Sequence, residues 1–362
     1  MMNLDEIMTL IRKGLWDDAI SRVAGIEDSL EKVQVLIFIA TEIYSYGDLE
    51  SALEVLGDAE YYSNKIKDTG SKAIAYANLG FAYAVFGDYD SSGELFVRAL
   101  DMVDRLRRTH SSSEIGEILG YVAHYLGMAG MIEDSLEQFE KAFDLIVNSK
   151  IGYVQKLDLL IKLGDLMVES GDYLNSKEAL RFYERAHDLF DKLRVSEKAA
   201  DVEKKIEICK TLLHSGTPTL RNALKEGRYK YAAAKVMESE MGNKEKAIAL
   251  LEISFWLKKV EVFTYGNMVD KALELLNISE LQGEEVEYIA FLLSELGKPK
   301  EALKLAATID DVRKKSEAFK GIALALIEEG EILTAEELIK KIPDPIIRAE
   351  AEEEFRKIML AR

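Results

Sequence analysis

The sequence predicts an all-α fold, an α-solenoid built from stacked antiparallel helix pairs. Hydrophobic residues make up 48% of the chain and prolines number only 4, a composition typical of a folded helical protein. Glycines recur at nearly regular intervals, and a small residue follows most of them five positions later. A chain of 362 residues also exceeds the usual size of a single hydrophobic core, which favours a repeat array.

The recurrent glycines predict where the first helix of each pair ends. They are Gly14, Gly47, Gly87, Gly130, Gly171, Gly227, Gly297 and Gly330. Asn267 takes the matching place in a ninth unit near Ala272, and both Gly and Asn tolerate the left-handed conformation that ends many helices. Because one pair cannot bury its own apolar face, successive pairs must stack, and we expect at least sixteen helices.

The small residues after these turns predict close packing of the second helix on the first. They are Ala19, Ala52, Ser92, Ser135, Ala232, Ala302 and Ala335, with Ala179 displaced by three residues in its unit. The glycines lie 33 residues apart at each end of the chain and 40, 43 and 41 residues apart in the middle steps. The central pairs are therefore predicted to have longer helices, by about two turns at ~3.6 residues per turn.

One unit carries an aromatic and glycine pattern at fixed positions. Its first helix has Tyr76, Leu79, Gly80 and Tyr83, its turn has Gly87, Asp88 and Tyr89, and its second helix has Phe96 and Ala99. This pattern resembles the tetratricopeptide repeat, and two further copies extend the match over residues 73–186. The resemblance implies a right-handed superhelix in which the first helices line a concave groove that binds a peptide or a helix of a partner.

The array is interrupted near its middle. Residues 195–214 form an amphipathic stretch without a second half, which indicates a capping helix, and Thr217 with Pro218 is typical of a new helix start. We therefore predict two arrays, residues 1–216 and 217–362, the second ending in a closing helix over 346–360. The alternative is one continuous superhelix with an irregular turn.

Charge and cysteine content narrow the class of partner. The net charge is −18, of which −14 lies before Thr217, so a nucleic-acid partner is not expected. Cys209 is the single cysteine and the four histidines are scattered, which predicts neither a disulfide nor a metal site. The longest apolar run, residues 35–40, is too short to cross a bilayer, so we expect a cytoplasmic protein without a membrane partner. Sparse Gln and Cys beside abundant Glu and Lys is a composition reported for proteins of hot environments.

No motif for catalysis or cofactor binding is present. The sequence contains no GxxxxGK[ST], HExxH, CxxC or GxSxG, and we expect no cofactor and no enzymatic activity. Cys209 and Trp256 are interpreted as core residues, and His124 as an exposed helix residue without a role. An enzyme site hidden in residues 240–285 is the alternative, and it would need a polar cluster in a pocket.

Helical spacing predicts which side chains face the groove. They are Ile37, Tyr44, Ile74, Phe81, His124, Met128, Asp158, Asp165 and Glu169. This set has an apolar centre and an acidic end, so the predicted function is a protein-interaction scaffold for a segment with apolar anchors followed by Lys or Arg. A groove closed by its own long helices and a regulator that senses small ligands or peptides are the alternatives.

Overall fold

The computed structural model describes residues 4–262, 264–281 and 283–361. Within these ranges it contains 20 α-helices, one short 3-10 helix and no strand, so the predicted all-α fold is confirmed. The chain divides into two compact units, Met1–Ile206 and Glu207–Arg362.

The first unit consists of five consecutive helix pairs. The pairs are α1 (Leu4–Arg12) and α2 (Trp16–Val23), α3 (Ser29–Ser45) and α4 (Leu49–Lys65), α5 (Thr69–Val85) and α6 (Tyr89–Leu106), α7 (Ser112–Met128) and α8 (Ile132–Val147), and α9 (Tyr153–Tyr173) and α10 (Ser176–Lys192). Each first helix from α3 onward also packs against the first helix of the next pair, which is the stacking expected of a solenoid. The boundary between the two units falls within the next helix, α11 (Ser196–Thr211).

The second unit continues with four shorter pairs and a closing helix. They are α12 (Pro218–Lys225) and α13 (Tyr229–Glu238), α14 (Asn243–Lys259) and α15 (Gly266–Leu275), α16 (Glu284–Glu295) and α17 (Pro299–Ala306), α18 (Val312–Glu328) and α19 (Ile332–Lys340), and α20 (Pro345–Ala361). Second helices here have 8 to 10 residues, against 16 to 18 in α4, α6, α8 and α10, so the predicted lengthening of the central pairs is confirmed.

Local sequence signals begin most of the long first helices. Asp28, Asp68 and Asp311 each accept a backbone N–H from the residue three positions later, at 2.7 to 2.8 Å. Ser111 and Glu114 form a reciprocal capping box at the start of α7. These side chains satisfy backbone donors that a helix leaves unpaired at its N-terminus, and so they fix where each helix starts.

Glycine turns separate the helices of most pairs, as predicted. Seven of the eight recurrent glycines have φ between +69° and +90°, a region that other residues adopt only under strain. Gly171 is the exception, since it lies in the last turn of α9, and the prediction for Asn267 is wrong because Asn267 lies inside α15. Two other residues with positive φ are Arg194, between α10 and α11, and Glu261, which lies between α14 and α15 six residues before Asn267.

Close contact between the two helices of a pair depends on glycine as well as on the small residues. A Cβ atom on Gly80 would lie 3.0 Å from the ring of Phe96, and one on Gly164 would lie 2.6 Å from the ring of Phe190. The aromatic ring of the second helix thus occupies the space that the first helix leaves empty. Trp256 and Cys209 are both buried in the second unit, as the sequence indicated.

The segment around Gly216 is held in place by a buried carboxylate. The predicted helix start at Thr217 is confirmed, but Gly216 itself is buried. Glu252 of α14 is fully buried and accepts the backbone N–H of His214 at 2.9 Å and that of Ser215 at 3.0 Å. It also accepts hydrogen bonds from the hydroxyl groups of Ser215 and of Tyr288, the latter at 2.6 Å. This stretch is therefore a fixed part of the second unit.

Candidate functional site

A groove runs along the first helices of the first unit. It has a volume of about 820 Å³ and is lined by residues of α3, α5, α7 and α9. The lining residues are Gln34, Ile37, Phe38, Thr41, Glu42, Asn78, Phe81, Val85, His124, Tyr125, Met128, Glu169, Asp172 and Tyr173. First helices therefore form the lining, as the tetratricopeptide resemblance implies.

Three aromatic rings from three successive pairs meet in this groove. The ring of Phe81 lies 5.9 Å from that of Tyr173 in an edge-to-face arrangement and 6.4 Å from that of Tyr125. Since Phe81 belongs to α5 and Tyr173 to α9, the contact spans the intervening α7. Tyr125 on α7 and Gln34 on α3 both line the same groove. The first unit is therefore concave on this side.

His124 forms part of the floor of the groove, and the prediction that it is exposed is wrong. Only 8% of its surface is exposed. Its ring Nδ1 lies 3.3 Å from the carbonyl oxygen of Leu166 and 3.0 Å from Oγ of Ser170. Because a carbonyl oxygen can only accept, Nδ1 carries the proton and Nε2 keeps its lone pair. Burial lowers the pKa of His124 to about 4, so the ring is neutral at pH 7.

Asn78 is a second polar group in the groove. Its surface is 6% exposed, and its side chain forms no hydrogen bond with another residue that the structure describes. Asn78 is therefore able to bind a polar group of a ligand that enters the groove.

Three carboxylates lie along the rim, and none of the lining residues is Lys or Arg. Partial burial raises the pKa of Glu169, and the charges of Asp165 and Asp172 raise it further. Asp172 accepts hydrogen bonds from Nζ of Lys205 at 2.6 Å and from the hydroxyl of Tyr183 at 2.6 Å. Glu42 and Glu169 form no salt bridge with another residue of the described ranges, so the groove is electrically negative.

The structure brings five of the nine predicted groove residues together. Those that line the groove are Ile37, Phe81, His124, Met128 and Glu169. Ile37 is only 3% exposed, so its side chain belongs to the floor.

The other four predicted residues lie outside the lining. Tyr44 stacks on Phe86, with ring centroids 4.6 Å apart. Ile74 is buried, with 8% of its surface exposed, so it packs between helices. Asp165 pairs with Nζ of Lys198 at 2.6 Å, and Asp158 is exposed nearer the start of α9. The predicted apolar centre is thus largely packed inside the protein.

Sequence reasoning missed Phe38, Tyr125, Asp172 and Tyr173. Phe38 and Tyr125 each follow a predicted groove residue by one position, and Asp172 and Tyr173 lie one turn after Glu169. A wider stripe on each first helix would have included all four. The rotation of a helix about its own axis decides which of two neighbouring side chains faces the groove, and that rotation is set by tertiary packing.

Among the described residues there is no group of three or more His, Cys, Asp or Glu side chains placed to hold a metal ion. No helix within the described ranges is long and apolar enough to cross a membrane.

Comparison with solved structures identifies a relative that is similar over the whole chain. The crystal structure of Ton1535 from Thermococcus onnurineus NA1 shares 38% sequence identity and covers 99% of this chain and 100% of its own, with a TM-score of 0.89. The chain belongs to the Ton1535 family. Because the alignment with Ton1535 spans both units, the family fold includes the short pairs of the second unit as well as the long pairs of the first.

More distant helical-repeat structures superpose poorly. Yeast Tom70 shares 14% identity over 99% of this chain and 95% of its own, with a TM-score of 0.24. The P58(IPK) TPR domain shares 15% identity over 99% and 97% of the two chains, with a TM-score of 0.21. No protein-family model matches the sequence, and no curated protein matches it.

Proposed function

We propose that the protein is a cytoplasmic interaction scaffold that binds a segment of a partner protein in the groove of its first unit. The convergence of Phe81, Tyr125 and Tyr173 on one cavity is the observation that supports this proposal. Tyr125 is only 9% exposed, but Phe81 and Tyr173 remain accessible, and such aromatic side chains provide contact area at a small cost in conformational entropy. The tetratricopeptide pattern at residues 73–186 supports the same function by resemblance.

The groove has features of a binding site rather than of packing alone. The phenol of Tyr173 extends from α9, and 60% of its residue surface is exposed, while Phe81 and Met128 are half-buried. Phe38 and Val85 add exposed apolar surface on either side, at 37% and 39%. A partner segment that covers these groups would remove apolar area from water at ~25 cal/mol per Å².

A peptide selection on the full-length protein tests the proposal. Peptides from a random display library are selected on the immobilised protein, and their affinity is measured by fluorescence anisotropy. Phe81→Ala should weaken binding about tenfold or more, because it removes a central ring from the contact. Tyr89→Ala is the matched control, since Tyr89 is 68% exposed and lies outside the groove.

Two results would refute the proposed function. One is a set of selected peptides whose affinity is unchanged by Phe81→Ala. The other is protection from hydrogen exchange, upon peptide binding, that is confined to residues after Thr217.

A further inference from the structure

The accessible side chains of the groove do not form the aliphatic pocket that a hydrophobic anchor residue of a partner would need. Ile37 and Ile74 are packed into the protein, and the accessible groups are aromatic rings and carboxylates. Glu42, Glu169 and Asp172 line the groove without any Lys or Arg among the lining residues. Lys198 and Lys205 lie close enough to act on Glu169, but each is already paired, with Asp165 and Asp172 respectively.

Aromatic faces and hydrogen-bond acceptors occur together at the centre. Phe81 contacts Tyr125 and Tyr173, so the three rings form one continuous aromatic wall of the cavity. The face of an aromatic ring carries negative potential and attracts a cation within ~6 Å of its centroid. His124 adds an imidazole whose Nε2 carries a lone pair, and the Asn78 amide adds a carbonyl oxygen that can accept a hydrogen bond.

We propose that Phe81, Tyr125, Tyr173 and Glu169 form a cage for an organic cation, the Lys or Arg side chain of the segment that the groove binds. This inference rests on the proposed function and changes its chemistry, because the cation occupies the centre of the groove and not its edge. A positive group against the accessible faces of these rings gains cation–π attraction and a charge-assisted hydrogen bond to the Glu169 carboxylate. The aliphatic part of the same side chain contacts the rings and Met128.

Met128 provides a direct probe of the cage. It lines the groove and is half-buried, and the chain has only 11 methionines, so the methyl resonances of a protein labelled with ¹³C-methyl methionine are few. Met128→Leu assigns the Met128 signal by its loss. Met237, which is 38% exposed on α13 in the second unit, is the internal control.

The probes are Nα-acetyl-L-lysinamide and Nα-acetyl-L-norleucinamide, which share an aliphatic chain and differ in the ammonium group. The lysine probe should shift the Met128 methyl signal with saturation, and the norleucine probe should bind about tenfold more weakly. Glu169→Gln and Phe81→Leu should each weaken the lysine probe about tenfold. Asp158→Asn, on the same helix but outside the groove, should leave its affinity unchanged.

Equal binding of the two probes, or an unchanged affinity in Glu169→Gln, would overturn the cage. The cage would also be overturned if two Lys-containing peptides that bind the groove each kept the same affinity after Lys→norleucine replacement. That result would leave the scaffold function intact. Selective binding of the lysine probe without any groove-binding peptide would support the cage as a site for a free organic cation and refute the proposed function.

Discussion

The buried imidazole of His124 predicts a specific loss of stability in mild acid. Its pKa is lowered to about 4 in the folded protein, against about 6.5 for an exposed histidine. The unfolded chain therefore binds a proton on this side chain between these two values and the folded protein does not. Stability should fall as the pH drops below ~6.5 and should level off near ~4, where the folded protein binds the proton as well.

The size of this effect follows from the shift in pKa. At ~1.4 kcal/mol per pH unit the whole shift corresponds to about 3 kcal/mol, of which about 2 kcal/mol is lost between pH 7 and pH 5. His124 is nine-tenths buried, so solvent screening reduces this value little. Other groups titrate in the same range, and the effect must therefore be measured as a difference between two proteins.

His124→Asn provides that difference, because its amide keeps a donor for the carbonyl oxygen of Leu166 and carries no charge at any pH. Urea denaturation followed by circular dichroism gives the free energy of unfolding of both proteins at pH 7 and pH 5. The wild type should lose about 2 kcal/mol more than the variant. An NMR titration of the His124 ring with a pKa near 6.5, or equal losses in the two proteins, would refute the reasoning.

Two further predictions concern packing and the buried carboxylate. Gly80→Leu should destabilise the protein by ~1–3 kcal/mol or more in thermal unfolding, because a Cβ atom alone would lie 3.0 Å from Phe96. Gly93 is a helix position with no atom within 4 Å of an added Cβ, so Gly93→Ala should instead stabilise the protein by ~0.5–1 kcal/mol. An unchanged melting temperature in Gly80→Leu would contradict the helix packing. Glu252→Ala should make residues 212–217 the first site of limited proteolysis, because it removes the acceptor of four donors, two of them on the buried Ser215, whereas the wild type should be cleaved elsewhere. First cleavage of the wild type at Gly216 would show that this segment opens without the loss of Glu252.

The sequence predicted the elements of the fold that depend on neighbouring residues. Gly87 and Gly130 end their helices because the left-handed conformation is a local property of glycine. Thr217 with Pro218 likewise begins α12, where the Thr217 hydroxyl accepts the backbone N–H of Leu220. These signals need only a few residues, so a single sequence contains them.

Features that depend on distant residues could not be predicted in this way. His124 is buried because α9 brings Leu166 and Ser170 against it, more than 40 residues away in the chain. The sequence around the predicted array boundary at Gly216 does not identify Glu252, which accepts hydrogen bonds from His214 and Ser215 and lies 38 and 37 residues away from them. The groove residues on α3, α5, α7 and α9 were predicted to the correct face but not to the correct width, since the rotation of each helix depends on its neighbours.

The rings that meet across α7 affect how the first unit unfolds. In most solenoids each repeat touches only the next, so the energy is a sum over adjacent repeats and the ends can fray one at a time. Here Phe81 contacts Tyr173, so two pairs separated by a whole repeat are coupled. Loss of the α9 pair would therefore remove a contact of the α5 pair as well. The central repeats should therefore unfold as one cooperative unit. A ligand that contacts those rings would raise the stability of this unit against unfolding without contacting its outer helices.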